Sequence, residues 1–212
     1  REGHELAFHF DAQSYSFPEV FSYEVFKEQL EETKAHTKIN QFLTNKNHYT
    51  RWEGQLEFFM WCEKEGILVD QSKGPSKCGT MGFPFGSAHP WRPMKGNGEN
   101  GEFLNCCELS FQSQDPGLQG PLSSWKFLVD ACAKVNGVSH FIFHPAHADK
   151  KFVARAMQEL ISYAVDKGAK CMRSDEIAAW VLKRTEFVKN WHPKHPLPVP
   201  ENVKVEHVIA NP

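Results

Sequence analysis

VSHFIFHPAH, residues 138–147, is the stretch from which the fold is read. Val138 to Phe143 forms a mainly apolar run, and it delivers His144-Pro145-Ala146-His147 at its end. A short run of this kind, stopped by proline, predicts a buried strand. Directly after it, Val153, Met157, Leu160, Ile161 and Ala164 recur at helical spacing within Lys151 to Lys167. They predict a helix with those five residues as its core face and Gly168 as its stop. The unit is therefore strand, polar junction, helix, with two histidines at the junction.

The same unit repeats outward from this point. Leu122 to Asn136 predicts a helix closed by Asn136-Gly137, preceded by a strand over Phe103 to Phe111. Residues 71–101, rich in Gly, Pro, Ser and Lys, predict a long loop, which in a compact domain is usually functional. Ile67-Leu68-Val69 predicts a strand ending at Asp70, and Trp52 to Lys64 a helix that Gly66 terminates. Ile39 to Leu43 predicts a short strand, followed by the polar stretch Thr44-Asn45-Lys46-Asn47-His48. Ser22 can cap a helix to Lys34 with Phe21, Val25, Phe26 and Leu30 on its apolar side. Glu5 to Phe10 predicts the first strand, and Ser174 caps a last helix through Lys183 before a proline-rich tail. Alternation of strands and helices predicts an α/β fold with mostly parallel strands, in a sheet or a barrel. Chemistry in such folds gathers at the C-terminal strand ends. Here those ends carry His9 with Asp11, then His48, Asp70, and His144 with His147.

Composition narrows the partners. A net charge of -2 without a basic cluster gives no footing for a nucleic acid or an anionic membrane. No apolar run approaches the roughly 18–20 residues that span a bilayer. The 6 cysteines show no CxxC spacing, and they read as packed, reduced thiols with room for one disulfide at most. The chain enters a strand within a few residues of Arg1-Glu2-Gly3-His4, so an upstream part is expected.

GHELAFHFDAQ at 3–13 resembles the polysaccharide-deacetylase motif in which Gly-His-Glu opens a strand and a second histidine, here His9, binds the metal. NKNHYTRWEGQLEFFMWCEKEGILVDQS at 45–72 is similar to a divergent branch of that family, in which an Asn/Arg-x-His segment precedes a helix and Gly-Ile-x-x-Asp-x-Ser. Gly82 to Trp91 resembles the branch's Gly-Phe-rich loop, FIFHPAH at 141–147 the strand that supplies the catalytic-acid histidine, and residues 166–184 the closing helix. The resemblance implies an incomplete (β/α) barrel over residues 1–190, followed by the tail 191–212. It implies a metal-dependent hydrolase that removes N- or O-acetyl groups from a carbohydrate. The chain departs from the family at two points. The Asp-Asp motif of the family's first strand has no counterpart and is expected upstream, and Gln13 stands where a second histidine ligand belongs. These departures keep a second reading open, a catalytically inactive carbohydrate-binding or assembly domain.

The chemistry assigns the residues. Hydrolysis of an amide or ester at neutral pH profits from a divalent metal, most naturally zinc, held by three protein ligands with one position open. His9 and His48, with Asp11 as a further donor, are the candidate ligands. His144 is the candidate acid, since an imidazole exchanges protons near neutrality, and Asp70 is the second candidate catalytic residue. Trp52, Trp91 and Arg92 are candidate sugar contacts, flat rings for a pyranose face and a guanidinium for anionic groups. A histidine cluster of His140, His144 and His147 is a weaker alternative metal site. His192 and His195 read as solvated residues of the tail.

Overall fold

The structure, a computed structural model, describes residues 3–12, 21–75, 80–96, 101–118 and 120–189. Gln13, Cys78 and the tail with His192 and His195 lie outside these residues. Strand β1 (Phe8–Phe10) puts Phe8 and Phe10 on one face, where both meet Phe26 at 5.7 and 5.2 Å between ring centroids. Phe26 and Leu30 are the buried residues of helix α1 (Tyr23–Thr37). Ser22 caps that helix as expected, its side chain accepting a hydrogen bond from the Val25 N–H at 3.3 Å.

Strand β2 is Thr44–Asn47. It lies C-terminal to the expected strand, in the run read as polar loop, because Asn45 and Asn47 are buried and find hydrogen-bond partners inside. Helix α2 (Glu57–Lys64) begins later than expected and leaves Trp52 outside it. Gly54 with φ 69° breaks the helical run, and the Glu57 carboxylate accepts the Gln55 N–H at 2.6 Å in the new first turn. Gly66 then ends the helix in the left-handed region, as the sequence predicts.

Strands β3 (Val69–Asp70) and β6 (Cys107–Glu108) complete a parallel sheet in the order β1-β2-β3-β6. Its register sets His9 beside Lys46, Asn45 beside Asp70, and Asp70 beside Glu108. Between β3 and β6 the long loop contains an antiparallel pair, β4 (Met94–Lys95) with β5 (Glu102–Phe103). The strand expected over Phe103 to Phe111 is thus divided between β5 and β6, and a further strand β7 (Ser113–Gln114) follows. β7 runs parallel to β8 (Phe141–Ile142). Along the chain, Leu109 and Phe111 donate to Asp70 O and Lys73 O on one side, then Gln112 and Asp115 to His140 O and Ile142 O on the other. One stretch of chain thus joins the two parallel ladders.

Helix α3 (Leu122–Lys134) buries Trp125, whose indole N–H donates to Ser113 Oγ at 2.9 Å and fixes the helix to β7. The short helix α4 (Pro145–Ala148) follows β8, and α5 (Lys151–Asp166) packs on α3. The buried residues of α5 are Val153, Ala156 and Leu160, whereas Met157 and Ile161 are 40% and 45% exposed. The contact face is narrower than the apolar spacing predicts, since the Trp125, Leu128 and Val129 cluster of α3 takes Leu160, Tyr163 and Ala164 from α5 but neither Met157 nor Ile161. Helix α6 (Ser174–Lys189) lays Ala178 and Val181 over Val69, Cys107 and Leu109. The Glu5 carboxylate accepts the Asp175 N–H at 3.1 Å at the start of that helix, where negative charge is favoured. Cys62, Cys106, Cys107 and Cys132 are buried free thiols and Cys171 an exposed one. Among the described residues no helix is long and apolar enough to cross a membrane.

Candidate functional site

Parallel strands β7 and β8 end side by side, and Asp115 and His144 stand just beyond those ends. Asp115 takes φ 44°, a left-handed conformation that few residues other than glycine adopt and that turns its carboxylate back over β8. The side chain is 3% exposed and fully engaged. Oδ1 accepts the His144 backbone N–H at 2.7 Å, while Oδ2 accepts Nδ1–H from both His144 at 2.7 Å and His147 at 2.9 Å. Pro145 opens α4 and starts the turn that brings His147 back to the same oxygen. Burial pushes the Asp115 carboxyl up, but the His144 N–H and the two imidazoles outweigh it and hold the group below the ordinary carboxylate range. With both Nδ1–H groups donating, each neutral ring carries its lone pair on Nε2. His144 and His147 remain 48% and 33% exposed, so those nitrogens are within reach of solvent.

Ligand atoms of Asp115, His144 and His147 all lie within 4.8 Å of one another, and among the described residues this is the group that closes so tightly. One carboxylate and two imidazoles are a donor set that suits a borderline divalent cation, and the three residues can hold one. His144 was legible at its strand end. Asp115 was not, because Asp115-Pro116-Gly117 has the composition of a turn and the expected strand stopped at Phe111.

The ligand candidates His9, Asp11 and His48 come together at the ends of β1 and β2. The His9 and His48 rings are 5.3 Å apart, and His48 Nδ1 lies 3.0 Å from Asp11 Oδ1. Gln29 of α1 holds the Asp11 backbone, accepting its N–H at 2.9 Å and donating to its carbonyl at 3.2 Å. Loss of solvent, then the charges of His48 and Lys46, push the His9 ring below the ordinary value. Lys46, its neighbour across the ladder, donates to Gln71 O at 3.1 Å, and desolvation pushes its amine down to about 8.

Asp70 ends strand β3 within the sheet. It is fully buried and accepts from Asn45 Nδ2 at 2.7 Å, Ser72 Oγ at 2.9 Å and the Ser72 N–H at 2.8 Å. Its in-register neighbour Glu108, absent from the sequence candidates, is also fully buried. Burial first, then the Asp70 charge, pushes the Glu108 carboxyl well above its ordinary value. Glu108 Oε2 meets no hydrogen-bond partner among the described residues. His140 stays apart from His144, with Nδ1 3.0 Å from Leu109 O, and desolvation pushes it down to about 4.

Trp52 packs on Phe59 at 4.6 Å with Lys73 Nζ 3.6 Å above its ring. Phe59 also meets Trp91 at 5.6 Å, so the two indoles share that neighbour. Arg92 donates to Leu104 O at 2.8 Å and to Asn105 Oδ1 at 3.0 Å. Trp91 and Arg92 line one cavity with Trp180 and Arg184, and neither Trp52 nor any of Asp115, His144 and His147 is in its wall.

Comparison with family models and with curated proteins gives no match. Among solved structures the chain is similar to a Bordetella bronchiseptica protein assigned as a polysaccharide deacetylase involved in O-antigen biosynthesis. The likeness covers 74% of this chain and 61% of that one, at 12% identity and a TM-score of 0.35. The chain therefore spans less than two thirds of that protein's length, and the functional reading rests on the chain's own residues.

Proposed function

We propose that the chain is a metal-dependent hydrolase of the polysaccharide-deacetylase type, removing an N- or O-acetyl group from a carbohydrate on an incomplete (β/α) barrel. The observation that carries this reading is the clamp of His144 by a buried Asp115 at the ends of two parallel strands. Asp115 holds Nδ1, so His144 presents Nε2 toward solvent and can pass a proton to a leaving amine or alcohol. The carboxylate stabilises the imidazolium while the proton resides there. His9, His48 and Asp11 are the proposed holders of a divalent cation, zinc. His9, whose ring is pushed toward the neutral form, and the His48–Asp11 pair fit that task. The cation would polarise the carbonyl and acidify a water to a pKa of about 7. Asp70 has a positioning part. Through Ser72 Oγ, which accepts the Asn47 N–H at 2.8 Å, it fixes the strand end that bears His48.

A second reading moves the cation to Asp115, His144 and His147, and their 4.8 Å closure favours it. His144→Ala separates the two. If His144 is the acid, acetate release from an acetylated oligosaccharide falls by about 10²–10⁴ while zinc stoichiometry by calorimetry is retained. Loss of the zinc with the activity moves the cation to the second group. A chain that folds, binds no divalent cation and releases no acetate is the inactive binding domain, and the hydrolase reading fails.

A further inference from the structure

Beneath α6 lies a cavity of about 780 Å³, within the range of small-ligand sites, whose wall includes His89, Trp91, Arg92, Phe103, Trp180 and Arg184. It sits where α3 ends and the chain turns into β8, the end of that strand opposite to His144. The wall is built rather than incidental. Val138 donates to Ala88 O at 2.8 Å, and a Cβ added to Gly137 would come within 2.6 Å of the Ala88 Cβ, so segment 88–92 is pressed onto the end of α3. Trp91 exchanges both backbone hydrogen bonds with Glu108, which fixes that segment to the edge of β6.

The lining is chemically selective. Trp180 and Phe103 are 54% and 42% exposed, a large aromatic surface for solvent to cover. The guanidinium of Arg184 lies 5.4 Å from the Trp180 ring centre and that of Arg92 5.4 Å from that of Phe103, so each cation is held at an aromatic face. Arg92 has Glu186 at 3.7 Å besides its hydrogen bonds to Leu104 and Asn105. Among the described residues no acidic group pairs with Arg184, whose guanidinium lies in the cavity wall as a donor for a ligand. Exposed indole faces stack on the C–H side of a pyranose, and an unpaired guanidinium pairs with carboxylate or phosphate.

We propose that this cavity is a second saccharide site, which takes a pyranose bearing an anionic group. Trp180 stacks the ring, Arg184 pairs with the charge, and Trp91 and Phe103 close the sides. The site shares no residue with the proposed acid and cation groups and does not depend on them, and it takes up Trp91 and Arg92, the sugar contacts expected from the sequence.

The test titrates the full chain with glucuronate, glucose 6-phosphate and glucose, followed by tryptophan fluorescence and saturation-transfer NMR. Trp180→Ala and Arg184→Ala are used as variants because both side chains are exposed, and thermal melting confirms that each folds. Binding of one or both acids, weakened at least about ten-fold in Arg184→Ala, is the expected result. Trp180→Ala should lose binding of all three sugars. The acid that binds identifies the charged group as carboxylate or phosphate. No saturation transfer from any probe overturns the proposal, as does acid binding that Trp180→Ala leaves intact. Glucose binding as tightly as the acids overturns the anionic part. Zinc calorimetry on Trp180→Ala stays at the wild-type value, so failure of this site and failure of the hydrolase reading appear in separate measurements.

Discussion

Glu108 and Asp70 stand in register on β6 and β3, both fully buried, in an interior where loss of solvent disfavours a charged carboxylate. Because the folded value of Glu108 is raised, the fold binds a proton that the unfolded chain has already released above the ordinary carboxylate range. The stabilisation is complete below that range and is lost as pH rises through the folded value of Glu108. Glu108→Gln supplies a permanent donor of the same shape to Asp70. Its melting temperature should fall less than the wild-type one between neutral and alkaline pH. Equal slopes for the two proteins would show that the Glu108 carboxyl is not raised in the fold. The same two residues mark where sequence reading reached and stopped. Asp70 was visible because a hydrophobic strand delivers it, whereas Glu108 lay inside an expected strand and carried no sign of its burial. Asp115 was hidden for another reason. Its left-handed backbone places it on the site, and local composition records only that a turn follows.

Strand β2 is the element in which side-chain polarity and burial part company. The sequence places a strand over Ile39 to Leu43, whereas the ladder forms over Thr44–Asn47, because pairing with β1 and β3 buries amides that have partners waiting. Periodicity reads apolar residues as the inside, and it is blind to an interior made of hydrogen bonds. Asn45 donates to both Asp70 and Asn47, so Asn45→Ala should destabilise the chain by about 1–3 kcal/mol in urea titration. Asn40→Ala, at an exposed position, should change stability by less than about 0.5 kcal/mol. Similar losses at both positions would mean that the buried amide adds nothing. Helix α5 illustrates the milder error. Its spacing was right and its position in the chain nearly so, but a helix turns as much of its apolar stripe inward as its neighbour can receive, and α3 receives only part.

At the scale of the molecule, the alternation of strands and helices and the parallel direction of the strands follow from the sequence. So does the placement of His9, His48 and His144 at C-terminal strand ends. The grouping of those ends does not. It depends on which strands neighbour one another, and that is settled by contacts far apart in the chain, such as Glu5 with the start of α6 and Trp125 with Ser113. The pairing of residues 107–115 with β3 first and with β8 afterwards has a consequence for motion. That short stretch is a hinge pin common to both ladders, so neither can open at this seam without releasing it. The amide protons of Leu109, Phe111, Gln112 and Asp115 should therefore exchange with deuterium slowly and as a single cooperative group, later than those of the β4–β5 pair. Two separate exchange phases, one for Leu109 and Phe111 and another for Gln112 and Asp115, would mean that the ladders breathe independently.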